Sequence, residues 1–164
     1  MSATDKTTAG RELVITRVFD APRKLIWETF TQAKHLENWF GPRGFTTTVK
    51  EWDVRPGGKS RFIMHGPDGK DYPSRGVFKE VESMCKYVTT DEFDEGFEKV
   101  YSGELPSGII QTVLFEDEGQ KTKVTIRIMH DTVESRRKHE EMGVVGGWNS
   151  CLDCLEEYLA SLSA

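Results

Sequence analysis

Cys151 and Cys154 stand at a C-x-x-C spacing that can carry thiol redox chemistry or supply half of a zinc site. Their surroundings argue against both. A redox cysteine gains its low thiol pKa at a helix N-terminus, whereas these two sit deep in a helical pattern, on or near its apolar face. A zinc site needs two more converging ligands, and the histidines His35, His65, His130 and His139 show no paired spacing. The two cysteines therefore read as packing, and neither a metal nor a cofactor is expected.

Arg55, Arg61, His65, Arg75, Asp91 and Glu92 lie on or beside strand-like segments. An acid or base among them could catalyse enolisation, cyclisation or hydrolysis if its pKa were shifted. No nucleophile elbow, H-E-x-x-H, phosphate-cradling glycine loop or dinucleotide fingerprint accompanies them. Solvated or hairpin-stabilising roles are the plainer account, and no catalytic residue is assigned.

The apolar residues suggest binding instead. Phe62 and Met64 share a strand face, and Trp39, Tyr72, Phe93 and Trp148 could converge with them above a helix. Together with Gly146 these form the candidate ligand-binding set. Pockets are mostly apolar, and a soft methionine beside aromatic rings suits variable ligands. The competing account of each residue is that it simply fills the core. Trp148 has the strongest case, because Gly143, Gly146 and Gly147 precede it in a helical pattern running on to Leu152, Leu155, Leu159 and Leu162. Each glycine inside a helix costs roughly 1 kcal/mol against alanine, which implies that a sheet or a ligand lies close to that backbone. A Gly146→Leu substitution is accordingly expected to block binding.

The elements that must position these residues follow from periodicity. Glu12 to Phe19 reads as a strand with apolar residues on both parities, so its facing is open. Asp20-Ala21-Pro22 opens a helix carrying Ile26, Trp27 and Phe30, and Ala33 to Phe40 forms a second, stopped by Gly41-Pro42. The period then becomes two. Strands are expected over Phe45 to Val54, Lys59 to His65, Lys70 to Val81, Cys85 to Phe93, Gly108 to Phe115 and Thr122 to Met129. Turn residues such as Pro56-Gly57-Gly58, Pro67-Asp68-Gly69 and Glu118-Gly119 mark antiparallel hairpins. In the last strand Val124, Ile126 and Ile128 face one side and Lys123, Thr125 and Arg127 the other.

One helix of about 30 residues follows, its first part the charge-mixed run Glu134 to Glu141 with Arg137 and Glu141 at i, i+4. A curved antiparallel sheet around this helix would bury both apolar surfaces, an α+β arrangement. The connection from Asp94 to Ser107 is unusually long, as lids and binding loops often are.

The 164 residues suit one domain spanning 11–164 after a disordered leader, 1–10. Twenty-two Lys+Arg against 27 Asp+Glu give a net charge of −5 and no basic run, which disfavours nucleic acid. No apolar run approaches the roughly 20 residues of a membrane span. The polar start and three cysteines, which cannot pair completely and are too few for a disulfide scaffold, point to a cytoplasmic protein.

Several motifs then carry a resemblance. Phe19-Asp20-Ala21-Pro22 with Ile26-Trp27, Trp39-Phe40-Gly41-Pro42, Asp53 to Gly58, Gly66-Pro67-Asp68-Gly69, Tyr72-Pro73 with Gly76-Val77-Phe78, and Gly147-Trp148 with Leu152-Asp153 and Leu155 recur in order. The chain from about Glu12 to Leu162 resembles the helix-grip superfamily of START and Bet v-type proteins (SRPBCC), within it the activator of heat-shock-protein ATPase homologue-like family.

The resemblance implies a seven-stranded antiparallel sheet gripping a long C-terminal helix, two short helices after the first strand, and a cavity for apolar molecules between sheet and helix. It makes Asp53 to Gly58 a hairpin and Gly147-Trp148 a packing element. The Asp94 to Ser107 connection departs from the family pattern in length and acidity. Binding or carriage of a small apolar or amphipathic molecule, such as a lipid, is the leading expectation. A cyclase, dehydratase or hydrolase in the same cavity is the alternative, and a chaperone-associated interaction module in a stress response is a third. An uncovered sheet edge could also pair two copies as a homodimer.

Overall fold

Alternating strands, turn glycines and two kinds of helix leave little freedom in how the apolar faces meet. The computed structural model describes residues 10–162. Its elements are β1 (Glu12–Phe19), α1 (Arg23–Thr31), α2 (Ala33–Trp39), β2 (Thr46–Trp52), β3 (Lys59–His65), β4 (Asp71–Glu82), β5 (Lys86–Phe93), a 3₁₀ turn (Phe97–Lys99), β6 (Ile109–Glu118), β7 (Lys121–Met129), α3 (Val133–Glu141) and α4 (Val144–Leu162). The strands form one seven-stranded sheet in the order β1-β7-β6-β5-β4-β3-β2, and each neighbouring pair is antiparallel. β1 and β2 are the two edges, so α1 and α2 carry the chain from one edge to the other. This is the helix-grip α+β architecture. Residues 1–9 of the expected leader lie outside the described residues; Gly10 sits in a turn, its carbonyl accepting from Arg136 Nε at 2.8 Å.

The strand periodicity translates directly into faces. Val124, Ile126 and Ile128 of β7 are completely buried, as their alternation requires. The open question in β1 is resolved the same way: Leu13, Ile15 and Phe19 are buried, whereas Val14 and Val18 are exposed. Phe30, Leu36, Phe78, Phe115, Leu152 and Leu155 complete the core from helices and sheet.

The single helix of about 30 residues is corrected to two. Thr132 caps α3, its hydroxyl accepting from the Ser135 N–H at 3.0 Å, and Arg137 pairs with Glu141 at 3.1 Å as the spacing requires. The chain then turns at Gly143, whose φ of +87° is a left-handed conformation that side chains resist. Gly143 is therefore the stop signal between two helices and adds no helix-interior cost. α4 has 19 residues and runs roughly 28 Å at 1.5 Å per residue. Trp148, Cys151, Leu152 and Leu155 form its buried stripe, and it packs on β1 and α2.

Candidate functional site

Residues of one parity on β3 to β6 face the concave side of the sheet, where α4 does not fill all the space. A cavity of about 210 Å³ remains. Its sheet wall consists of Ser60, Phe62 and Met64 of β3, Ser74 of β4, Tyr87, Thr89, Asp91 and Phe93 of β5, and Gln111 of β6, with Thr90 at its edge. The helical wall consists of Phe30, Leu36, Phe40 and Pro42 on one side and Val144, Gly147, Trp148 and Cys151 of α4 on the other; Trp52 and His139 close the ends. Aromatic edges lock much of this lining. The Phe40 ring meets Phe62 at 5.1 Å and Trp148 at 5.7 Å between centroids, and Trp52 meets Phe78 at 5.4 Å. The Trp52 indole N–H donates to the Phe30 carbonyl at 3.1 Å, which ties β2 to α1.

Of the seven residues expected to bind a ligand, Phe62, Met64, Phe93 and Trp148 stand in the cavity wall. Trp39 is in the core behind it, its indole N–H donating to the Thr29 carbonyl at 2.9 Å and its ring 4.9 Å from Phe30. Tyr72 shares the inward parity of Ser74 but lies farther along β4, between Phe45 and Phe97, with its hydroxyl donating to Asp68 at 3.3 Å. Gly146 is exposed, and a Cβ there would meet nothing within 4 Å. Its neighbour Gly147 is the glycine that lines the cavity.

Of the polar candidates, Asp91 alone is brought to the cavity. Arg61 and His65 have the outward parity of β3: Arg61 Nε donates to Asp94 at 3.1 Å, and His65 bridges Asp71 and Thr48, each at 2.8 Å. Arg55 pairs with Asp53 at the hairpin, and Arg75 lies 3.7 Å from both Glu92 and Asp94. The Asp91 carboxylate accepts from Gln111 Nε2 at 2.9 Å. Removal from water dominates its energetics and lifts its pKa to about 6 despite the Gln111 bond, with Glu92 adding a smaller push in the same direction. Tyr87, farther back on β5, is buried against Phe78 and Phe115, and desolvation raises its phenol, which stays protonated.

Sequence spacing missed the other polar group. His130 and His139, nine positions apart across the junction of β7 and α3, meet at 2.9 Å between Nε2 and Nδ1. The histidines show no paired spacing in sequence because this separation matches no helical or strand repeat; the bend at Asp131-Thr132 brings the two together. Burial lowers both rings, His139 to about 4 with the neighbouring His130 contributing. The long connection after β5 is tied down near this point. Phe97 is buried against Phe93 at 4.6 Å, Ser107 Oγ donates to Asp131 at 2.9 Å, and Lys138 reaches Glu104 at 2.9 Å.

Cys151 is buried and its thiol is pushed up to about 12, chiefly by desolvation, the reverse of a redox cysteine. No group of three or more potential metal ligands occurs among the described residues. None of the described helices is long and apolar enough to cross a membrane.

A family model described as Activator of Hsp90 ATPase homolog 1-like protein matches residues 20–160. Among solved structures, a protein from Nitrosomonas europaea is 28% identical, with 94% of this chain and 97% of that one covered at a TM-score of 0.79. One from Mycobacterium smegmatis is 25% identical, with 94% of each chain covered at 0.83. One from Arthrobacter aurescens is also 25% identical, with 98% and 92% covered at 0.82. No curated protein matches the chain.

Proposed function

This chain belongs to the activator of Hsp90 ATPase homolog 1-like family, and on that footing we propose that it binds a compact, largely apolar small molecule between the sheet and α4. The observation that carries the reading is the cavity itself, about 210 Å³ with rings from β2, β3, β5 and α4 in its wall. That volume exceeds the ~150 Å³ known to accept a benzene ring in a protein interior and lies below the roughly 300 to 1,000 Å³ of drug-sized sites. A molecule of one or two rings suits that volume. Burial of such a ligand supplies about 25 cal/mol per Å² before ordering costs are subtracted. Because Trp148 and Phe93 are already held by packing, little of that energy is spent on ordering the wall.

Native mass spectrometry of the purified protein, with identification of any released molecule, tests this reading. A reproducible added mass of one small ring compound supports it. A bare protein, with no thermal shift across a panel of one- and two-ring compounds, moves the function to the outer surface and to protein partners such as a chaperone.

Asp91 favours a second reading of the same cavity. A carboxyl with a pKa near 6 can give and take a proton at neutral pH. An enzyme of cyclase, dehydratase or hydrolase type would show turnover of the identified ligand that falls sharply in Asp91→Asn while affinity changes little.

A further inference from the structure

The hydrogen-bond roles of the His130–His139 pair can be assigned from geometry. The Arg11 carbonyl lies 2.8 Å from His130 Nδ1, and a carbonyl oxygen only accepts, so His130 Nδ1 carries a proton. The same carbonyl also accepts the His130 backbone N–H at 2.9 Å, which fixes its position. In a neutral imidazole His130 Nε2 is then the acceptor, and the proton in the 2.9 Å bond to it belongs to His139 Nδ1. His139 Nε2 is left with its lone pair. Both rings are neutral at pH 7, because burial lowers them.

His139 Nε2 has no protein partner among the described residues. No buried side-chain nitrogen or oxygen among those residues lacks a partner, so this atom is not sealed off, and the ring it belongs to lines the cavity. The other strong acceptor on the lining is Asp91, whose Oδ2 is taken by Gln111. Among the described residues no lysine or arginine lines the cavity. The site therefore offers two strong acceptors, the hydroxyls of Ser60, Ser74 and Tyr87, an apolar body and, among the described residues, no cation.

We infer that His139 Nε2 is a dedicated hydrogen-bond acceptor for the ligand, held in that role by the chain from His139 through His130 to the Arg11 carbonyl, and that the cavity selects an uncharged ring compound bearing a hydroxyl donor over a carboxylate. The inference rests on ligand binding in this cavity and names the class bound. A hydroxyl meets a preset lone pair without rearranging the wall. A carboxylate brings no proton to His139, meets no counter-ion and shares a poorly hydrated space with Asp91. Arg11 and His130 act through His139 and are positioning residues.

Three probes of matched shape test it by calorimetric titration at pH 7.5: naphthalene, 2-naphthol and 2-naphthoate. The wild type is expected to bind 2-naphthol at least about fivefold tighter than naphthalene, the worth of one net hydrogen bond, and 2-naphthoate weaker than either. In His139→Phe the preference for 2-naphthol falls below about twofold while naphthalene still binds. Equal wild-type affinities for naphthalene and 2-naphthol, or a preference that survives in His139→Phe, overturns the inference but leaves cavity binding intact. Binding of none of the three overturns both. A readout independent of any variant is the long-range nitrogen–proton NMR spectrum of the wild-type imidazoles. It is expected to show Nδ1–H on both rings and an unprotonated His139 Nε2 that shifts on adding 2-naphthol. An Nε2–H tautomer at His139 overturns the assignment.

Discussion

A Cβ placed on Gly147 would find its nearest neighbour, the Pro42 Cγ, 3.9 Å away, so this helix position opens onto the cavity without crowding. A leucine there has room to start and a void to fill. Gly147→Leu is expected to abolish binding of naphthalene, and to melt at or above the wild-type temperature, because leucine gains up to about 1 kcal/mol of helix propensity over glycine. Titration and a thermal melt check both halves. Wild-type affinity in a folded variant would move the ligand site elsewhere.

Gly146 and Gly76 predict opposite responses to the same substitution. Around Gly146 a Cβ meets nothing within 4 Å, so Gly146→Ala removes backbone freedom from the unfolded chain and stabilises by about 0.5 to 1 kcal/mol. At Gly76 the Cβ would lie 2.1 Å from the Thr90 carbonyl oxygen, which belongs to the neighbouring strand's backbone and cannot swing aside. Gly76→Ala should cost about 2 to 3 kcal/mol, in the range of overpacked cores. Urea midpoints of the two variants on either side of the wild type are the expected result.

What the sequence made legible follows from range. The six strands after α2 announce themselves by a two-residue period and turn residues between them, both local signals, and β3 has the expected ends Lys59 and His65. Parity then put Phe62 and Met64 on one face. Local pattern could not say that Tyr72, on that same face, lies past the cavity's end, since the distance along a strand to the helix crossing is a tertiary quantity. The break at Gly143 was hidden for a related reason: a glycine within a helical pattern and a glycine between two helices look alike until φ is known. The meeting of His130 with His139 depends on where α3 folds back on β7, which no repeat encodes.

The cysteines give a chemical test of the packing. Cys151 is buried with its thiol pushed up to about 12, whereas Cys85 and Cys154 are partly accessible. At pH 8 a small alkylating reagent should label Cys85 and Cys154 well before Cys151, by peptide mapping of timed samples. Labelling of Cys151 at a comparable rate would mean that the α4 stripe opens readily. A bound cavity ligand should slow Cys151 further, because that residue is part of the lining.

Two ionisable groups of the cavity, Asp91 and His139, drive stability in opposite directions over the same pH range. Asp91 has a folded pKa of about 6 against an ordinary 3.8, so the folded state binds its proton more tightly and stability falls as pH rises from about 4 to 6. His139 has a folded pKa of about 4 against 6.5, so the folded state resists protonation and stability falls as pH drops from about 6.5 to 4. His130, lowered by burial and by Arg136 against the raising effects of the Arg11 carbonyl and Asp131, adds to the histidine side. At about 1.4 kcal/mol per unit, each of the two large shifts is worth up to about 3 kcal/mol. The wild-type profile between pH 4 and 6.5 is therefore expected to be shallow because two steep contributions offset each other. Asp91→Asn should uncover stability that rises with pH across this range, and His139→Gln stability that falls with it. Urea unfolding at half-unit pH steps checks the signs; slopes of the same sign in both variants would mean that one of the two groups is solvated in the folded protein.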